Sequence, residues 1–211
     1  MLIMARLTCD EYFVMDYSEL INPAIIVVDM VNGFIKEGKL SDPYIARTVQ
    51  PIINLIANTN HVRQDLLFVT DCHQEGCLEF ETFPVHCLEG TSESQVIDEL
   101  KDYVTDTNVF KKNSINTFTA PGFSDWLNAI KAPADLVVTG CCTDLCILQL
   151  VLSLQSWINQ NEKRNMRVIV PVNCVDTYEA EFSSHKAKKM NKFALKNMEA
   201  NGIKVISEFV K

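Results

Sequence analysis

Residues 137–146 have the sequence VVTGCCTDLC, and this stretch decides the fold that we predict for the chain. A β-branched apolar run that ends at a glycine is typical of a buried strand. Thr143 or Asp144 can then cap the helix that the pattern of residues 145–154 predicts. The stretch therefore predicts a strand, a tight turn and a helix.

The predicted turn places Cys146 in the first turn of the helix. Free N–H groups and the helix dipole at that place lower a thiol pKa from about 8.5 to roughly 3.5–7.5, provided that a cation is near. Cys146 is therefore a candidate nucleophile. The alternative is a small buried side chain that packs the junction between strand and helix.

Six short apolar runs along the chain are predicted to be strands, because runs without alternation are typical of parallel strands that are buried on both faces. They are Ala24–Val28, Leu66–Thr70, Asn108–Phe110, Leu136–Thr139, Val168–Val170 and Ile203–Ile206. Segments with the period of an α-helix lie between them, at Tyr44–Ala57, Ser94–Leu100, Gly122–Ile130, Asp144–Ile158 and Ala180–Glu199.

This alternation of strands and helices predicts an α/β fold with right-handed crossovers. The expected architecture is a single-domain three-layer α/β/α sandwich around a mostly parallel, Rossmann-like sheet of six strands. We expect the domain to cover residues 23–211 and to follow an N-terminal arm at residues 1–22, whose role the sequence does not indicate.

The composition indicates which classes of binding partner the chain can have. A formal net charge of −8 argues against nucleic acid and anionic membranes, which bind basic surfaces. No stretch reaches the roughly 18 apolar residues of a membrane span, and the first residues do not resemble a signal peptide. We therefore expect a cytoplasmic protein that keeps its eight cysteines reduced and binds a small molecule.

Acidic and histidine side chains follow the first two predicted strands, at the edge where such sheets bind ligands. Asp29 comes directly after the first strand, where a buried carboxylate is costly unless it has a partner or a task. The alternative is that it caps the following turn. After the second strand, alternation places Asp71 and His73 on one side of the chain and Cys72 on the other.

The segment that follows adds Glu79 and His86, and it completes a candidate metal site. Asp71, His73, Glu79 and His86 supply oxygen and nitrogen ligands suited to Zn, Mn or Fe, with positions left for water or substrate. One alternative is a closed zinc site formed by Cys72, Cys77, His86 and Cys87. Another is that the two histidines are ordinary loop residues, and we expect His61 and His185 to be solvated.

A pair of lysines ends the weak fourth strand. Lys111 and Lys112 point to opposite sides of an extended chain, so only one of them can supply the cation that Cys146 needs. A register error of one residue would exchange the two. The alternative is a solvated strand end.

Taken in this order, these motifs resemble those of the isochorismatase-like cysteine hydrolases, and most closely the nicotinamidase (pyrazinamidase) branch. The resemblance covers about residues 23–208. It is carried by Asp29-x-x-x-x-Phe34, by the spacing of Lys112 and Phe118, and by the turn at 140–146. The metal loop is its most specific part, in the variant where a Glu replaces the middle histidine.

The resemblance implies catalytic roles for three residues. Asp29, Lys112 and Cys146 would hydrolyse nicotinamide to nicotinate and ammonia through a cysteine thioester, for NAD salvage. The N–H groups of Cys142 and Cys146 would form the oxyanion hole, with a cis peptide between Cys141 and Cys142.

The resemblance also implies a divalent metal, a pocket and an assembly. Asp71, His73, Glu79 and His86 would bind the metal, for which zinc is the first expectation and Mn or Fe the alternatives. Phe34 and Phe83 would wall the substrate ring, unless they are plain core aromatics. A homo-oligomer is implied because family members are often dimers or tetramers.

Some positions depart from the family pattern and keep other functions open. Ile115-Asn116-Thr117 precedes Phe118 where the family often has Tyr-Ser-Ala, Gly33 stands where Asp is common, and Phe83 where Trp is frequent. One alternative is therefore a hydrolase of a different small carboxamide. A catalytically silent binding protein and a thiol redox protein are further alternatives, although the second lacks a C-x-x-C pair.

Overall fold

A seven-stranded sheet lies at the centre of the computed structural model, which describes residues 12–59, 65–180 and 184–211. A separate pair of strands lies beside it. In chain order the strands are β1 (Met15–Asp16), β2 (Ala24–Val28), β3 (Asp65–Asp71), β4 (Val109–Lys112), β5 (Ala134–Cys141), β6 (Met166–Pro171), β7 (Val175–Asp176), β8 (Lys204–Ile206) and β9 (Phe209–Val210).

The strand order is β4-β3-β2-β5-β6-β8, and all pairings in this sheet are parallel. The predicted parallel α/β sheet is therefore confirmed, and each of the six predicted runs overlaps one of these strands. The seventh strand, β7, pairs with the end of β5 and was not predicted. Two residues are too few to carry a recognisable pattern.

The strand order reverses at β2, which lies between β3 and β5. Val28, the last residue of β2, pairs with Val69 on one side and with Gly140 on the other. The carboxyl ends of three strands therefore meet at one point. In open α/β sheets this switch point is where ligands bind.

Helices cover both faces of the sheet. Along the chain they are α1 (Asn32–Ile35), α2 (Val49–Thr59), α3 (Phe123–Ala129), α4 (Leu148–Gln160) and α5 (Ala187–Ala200). Successive residues of β5 belong to opposite cores, since Val138 packs with the cluster that includes α4 and Val137 with the cluster that includes α2. This separation confirms the three-layer arrangement.

Three helix predictions differ from the structure. The helix predicted at Tyr44–Ala57 starts as a 3-10 helix, Pro43–Thr48, and becomes an α-helix only at Val49. Residues 94–100 do not form one helix, because Gln95 and Ile97 exchange backbone hydrogen bonds with residues 30–32 and leave only 3-10 turns on either side. The last helix begins at Ala187 rather than at residue 180, because Ala180 and His185 form an antiparallel bridge.

The described part of the predicted N-terminal arm lies against the same chain. Strand β1 pairs in parallel with β9, and Met15 is fully buried. The N–H of Ile21 donates to the Asp135 carboxylate at 2.9 Å, and that carboxylate also pairs with Arg167. Among the described helices, none combines the length and the apolar character needed to cross a membrane.

Candidate active site

Asp29 lies at the switch point, directly after β2, with a positive φ of 53°. Its N–H donates to the carbonyl of Val69 at 2.8 Å, and its Oδ1 accepts from the N–H of Asp71 at 2.8 Å. The side chain is completely buried. Burial, followed by the charge of Asp71, raises the pKa of Asp29 to about 6, while Lys112 opposes the rise.

Lys112 is the lysine that faces this acid. Its Nζ lies 2.9 Å from Asp29 Oδ2 and 3.8 Å from Cys146 Sγ, and it also contacts Asp71 Oδ1. Burial alone would lower the pKa of Lys112, but the two carboxylates raise it well above its usual value. Lys111 points to solvent and pairs with Glu89 at 2.9 Å, as alternation requires.

The turn that carries Cys146 begins with π-helical geometry at Thr143–Ile147 and continues into α4. The expected side-chain cap from Thr143 or Asp144 is wrong, because Cys142 is the N-cap residue and its carbonyl accepts from Leu145 and Ile147, each at 3.1 Å. The Cys141–Cys142 peptide is cis, as the resemblance implies.

Gly140 allows β5 to approach β2 at the start of this turn. A Cβ at Gly140 would lie 1.9 Å from the carbonyl oxygen of Val28, and its φ of 108° also favours glycine. The Cys141 thiol contacts the carbonyl oxygen of Asp29 at 3.1 Å. Close packing of the two strand ends therefore brings Cys146 and Asp29 to the same place.

The thiol of Cys146 does not have the lowered pKa that the sequence predicts. Burial raises the pKa of Cys146 well above its usual value, and the carboxylates of Asp29 and Asp71 add to the rise, although Lys112 opposes it. The helix start alone does not overcome this desolvation. The thiol at rest keeps its proton, and Asp29 is the adjacent group that can accept it.

Asp71, His73, Glu79 and His86 form a second cluster next to these residues. Their ligand atoms all lie within 4.8 Å of one another. The Asp71 Oδ2 atom is 3.7 Å from His73 Nε2 and 3.5 Å from His86 Nε2, and Glu79 Oε1 is 3.9 Å from His73 Nε2. The four residues that the sequence singles out therefore converge.

Neighbouring groups orient the two imidazoles. His73 Nδ1 is 3.0 Å from Asn113 Oδ1, and His86 Nδ1 is 2.7 Å from the carbonyl oxygen of Pro84. Because both partners accept hydrogen bonds, each ring carries its proton on Nδ1 and turns a basic Nε2 to the cluster. The Nε2 of His73 is buried and has no hydrogen-bond partner.

The carboxylates of the cluster are oriented in the same way. Glu79 Oε2 accepts from the N–H of Ile115 at 3.1 Å, which leaves Oε1 for the cluster. One carboxylate oxygen of Asp71 contacts Lys112, and the other faces the histidines. Two imidazoles and two carboxylates with an unpartnered buried nitrogen fit a divalent cation.

Other ligand sets in the described residues do not fit a metal. Cys72, Cys77, His86 and Cys87 form no such cluster there, and a Cβ on Gly33 would lie 2.6 Å from the Cys87 sulfur, which is packed against that glycine. Asp29, Asp71 and Cys146 also converge, but the Lys112 ammonium already supplies a cation among them.

A cavity of about 20 Å³ joins the two clusters. This is about the space of one water molecule, so a larger ligand requires its wall residues to move apart. Phe34 and Phe83 line it, as the resemblance implies, and Gly33 does not. The remaining lining residues are Leu40, Asp71, Glu79, His86, Ile115, Cys142, Leu145, Cys146 and Tyr178. A wider groove beside Phe118 and Trp157 has no ionisable side chain.

The prediction that His185 is solvated is wrong. Its Nε2 lies 2.8 Å from the Asp144 carboxylate, and its ring stacks on Tyr178, a residue of the cavity wall. Neither Tyr178 nor Asp144 was singled out for this role, because no local pattern links residues so far apart in sequence. His61 lies outside the described residues.

Comparison with known proteins identifies the family of the chain. A family model described as the isochorismatase domain matches residues 23–207. The chain belongs to the isochorismatase family. Nicotinamidase 1 of Arabidopsis thaliana is 29% identical over 168 residues, which cover 73% of this chain and 66% of the relative.

Solved structures of the family share the fold. The yeast nicotinamidase has a TM-score of 0.73 at 16% identity, and the match covers 88% of this chain and 100% of that one. The pyrazinamidase of Pyrococcus horikoshii, solved in complex with zinc, has a TM-score of 0.67 at 19% identity, with 88% and 99% covered. This isochorismatase-family chain is therefore similar in sequence to a nicotinamidase, and in fold to solved nicotinamidase and pyrazinamidase structures.

Proposed function

We propose that the chain is a metal-dependent nicotinamidase-type amidohydrolase that converts nicotinamide to nicotinate and ammonia. The observation that carries the proposal is the position of Asp71, which contacts Lys112 with one oxygen and faces the two histidines with the other. The thiol of Cys146 and three of the four proposed metal ligands thus line one small cavity, and Lys112 contacts both Cys146 and Asp29. The nicotinamidase relatives support the same reaction.

Asp71, His73, Glu79 and His86 would hold the metal, for which we propose zinc, with Mn or Fe as alternatives. The zinc in the pyrazinamidase of Pyrococcus horikoshii supports this choice. When bound, the metal supplies a Lewis-acidic site for the pyridine nitrogen of the substrate. The unpartnered Nε2 of His73 is the atom that most needs such a partner.

The first half of the proposed reaction forms a thioester. Asp29 accepts the proton of the Cys146 thiol while the Lys112 ammonium stabilises the thiolate, which attacks the carboxamide carbon. The N–H groups of Cys142 and Cys146 donate to the oxygen that becomes negative. Asp29 then gives its proton to the amide nitrogen, the carbon–nitrogen bond breaks, and ammonia leaves.

In the second half, Asp29 accepts a proton from a water molecule that attacks the thioester. The carbon–sulfur bond breaks, nicotinate leaves, and the thiol regains a proton. A carboxylate with a pKa near 6 suits both steps, since it can accept and return a proton close to neutral pH. Lys112 remains charged throughout.

The walls of the cavity suit a flat aromatic substrate. Phe34 and Phe83 lie beside His86, with ring centroids 5.6 and 6.4 Å from the imidazole. Aromatic side chains at this distance can pack on a pyridine ring by stacking or edge contacts. We therefore propose that both phenylalanines contact the substrate ring.

A second candidate is hydrolysis of another small carboxamide by the same chemistry. Ile115 lines the cavity where the family often has Tyr, so this wall presents an aliphatic group instead of a phenol.

We further propose that the protein acts in the cytoplasm as a homo-oligomer. The seven cysteines in the described residues are all free, which agrees with a reducing compartment.

Ammonia release from nicotinamide tests the proposal, before and after chelation and after return of Zn, Mn or Fe. We expect activity that chelation removes and one metal restores, with a nicotinoyl adduct on the Cys146 peptide after acid quenching. An active protein that ignores nicotinamide but cleaves another carboxamide supports the second candidate. A protein without bound metal and without turnover contradicts both.

A further inference from the structure

His185 is a partly buried histidine behind the wall of the cavity, and both of its ring nitrogens have hydrogen-bond partners. Nδ1 lies 2.9 Å from the carbonyl oxygen of Tyr178, and Nε2 lies 2.8 Å from Asp144 Oδ2. The ring also stacks on the Tyr178 ring at 4.2 Å, with an angle of 12° between the planes. Only 11% of the side chain is exposed.

The partners of His185 are both hydrogen-bond acceptors. A carbonyl oxygen and a carboxylate oxygen lie at its two ring nitrogens, so the imidazole is held from both sides in one orientation. The stacking on the Tyr178 ring favours the same orientation.

The two partners of His185 belong to two different parts of the site. Asp144 lies in the π-helical turn, two positions before Cys146. Tyr178 belongs to the segment after β7 and lines the cavity with Cys146. Backbone bonds in both directions between Ala180 and His185 hold this segment in place. His185 is thus the group that connects the turn of the thiol with the opposite wall.

We propose that His185 is a positioning residue, which holds the Cys146 turn through Asp144 and the cavity wall through Tyr178. The inference rests on the proposed function, because the site that it orders is the site of the proposed hydrolysis. It predicts that the loss of each contact changes a different kinetic constant. Loss of the bond to Asp144 is expected to lower kcat, and loss of the stacking on Tyr178 is expected to raise KM.

Two substitutions separate these contacts. His185→Gln keeps an N–H donor for Asp144 but loses the stacked ring, so we expect KM to rise about tenfold with kcat near that of the parent. His185→Phe keeps the ring but loses the donor, so we expect kcat to fall by about 10- to 100-fold, as for a nucleophile that is misplaced by about 1 Å. Lys188→Ala, on the exposed face of α5, is the control.

His185→Phe leaves a buried carboxylate without its partner, which can unfold the protein. The double variant Asp144→Asn with His185→Gln replaces both ionisable partners and keeps the test possible. We expect its kcat to be close to that of Asp144→Asn alone, because two residues in one contact do not act additively. Thermal melting gives the folded fraction by which every kcat is corrected.

Alkylation of Cys146 by iodoacetamide, followed on its peptide by mass spectrometry, gives a readout without substrate. A rate that changes in His185→Phe and returns in His185→Gln supports the inference, even if the parent does not hydrolyse nicotinamide and the proposed function fails. Equal kcat, KM and alkylation rates in all variants overturn it. A loss of activity that is fully explained by a lower folded fraction also overturns the inference, since that result means that His185 has a purely structural role.

Discussion

Asp29 and Lys112 are held by the strands of the sheet, whereas Glu79, His86 and His185 are held by segments outside it. The sheet half of the site depends on backbone pairing, in which Asp71 lies opposite Lys112 and Val28 opposite Gly140. The loop half has only short backbone pairing, such as the bridge between Ala180 and His185, and side-chain bonds such as that from the N–H of Ile115 to Glu79.

This difference predicts different effects of substitution in the two halves, on catalysis in the sheet half and on metal or substrate binding in the loop half. Backbone hydrogen bonds between strands do not depend on the side chains. Variants of the sheet half are therefore expected to lose catalysis, while the molecules that fold keep the same strand pairing. A loop with short backbone pairing and a few side-chain bonds is expected to lose geometry, metal affinity or substrate affinity instead. Asp71 belongs to both halves, because it ends β3 and is also a metal ligand in our proposal.

The largest expected effect lies in the sheet half. Cys146→Ala removes the proposed nucleophile, and we expect kcat to fall by at least about 10⁴-fold, as for other covalent hydrolases. Metal content is expected to stay at the level of the parent. Cys174→Ala is the matched control, since this buried cysteine lies outside the cavity. Retained turnover in Cys146→Ala would remove the thioester from the mechanism.

Lys112→Met comes next, and Lys111→Met is its neighbour and control. The first variant leaves the carboxylates of Asp29 and Asp71 together without a cation, so we expect a loss of stability of roughly 3–5 kcal/mol in urea unfolding. We expect kcat to fall by about 10³-fold in the protein that remains folded. Lys111→Met removes only an exposed pair and is expected to change stability by under about 1 kcal/mol. The reverse order would mean that the register is different.

A loop-half variant, His86→Ala, should separate the metal from the thiol. It removes one ligand and nothing from the group of Asp29, Lys112 and Cys146, so we expect loss of stoichiometric metal and about a 10²-fold lower kcat/KM. The rate of Cys146 alkylation is expected to stay within about twofold of the rate in the parent after chelation, a tolerance set by additivity between separate sites. A large change in that rate would show that the two halves are not independent.

The smallest expected effect comes from Asn113, which contacts the proposed metal ligand His73. Asn113→Ala removes the acceptor that orients His73, and we expect metal affinity to fall by about 10- to 100-fold in a competition titration. With saturating metal, kcat is expected to return to the value of the parent. A kcat that stays low with metal bound would assign Asn113 a role beyond orientation of the imidazole.

Local patterns predicted much of this molecule. The apolar runs located the six main strands, because a strand that is buried on both faces needs apolar residues throughout its length. Alternation along the end of β3 predicted that Asp71 and His73 share a side, and the structure brings both into one cluster. Gly140 marks the turn to Cys146, because no side chain fits there.

Other predictions failed where a distant partner decides the conformation. The helix expected at residues 94–100 gives way to backbone bonds with residues 30–32. The expected cap from Asp144 is absent because its carboxylate pairs with His185, 41 positions away. The predicted fall in the pKa of Cys146 is reversed by burial and by two carboxylates from other strands.

The sequence by itself therefore determined the order of strands and helices, the turn that carries Cys146 and the residue types of the site. These follow from backbone periodicity and from the short-range geometry of turns, which a few adjacent residues express. The resemblance had named Lys112, and the structure places it beside Asp29. The tertiary structure alone decided how the imidazoles are oriented, and that Tyr178 and His185 belong to the site. The physical reason is that desolvation and side-chain hydrogen bonds depend on groups that only the folded chain brings together.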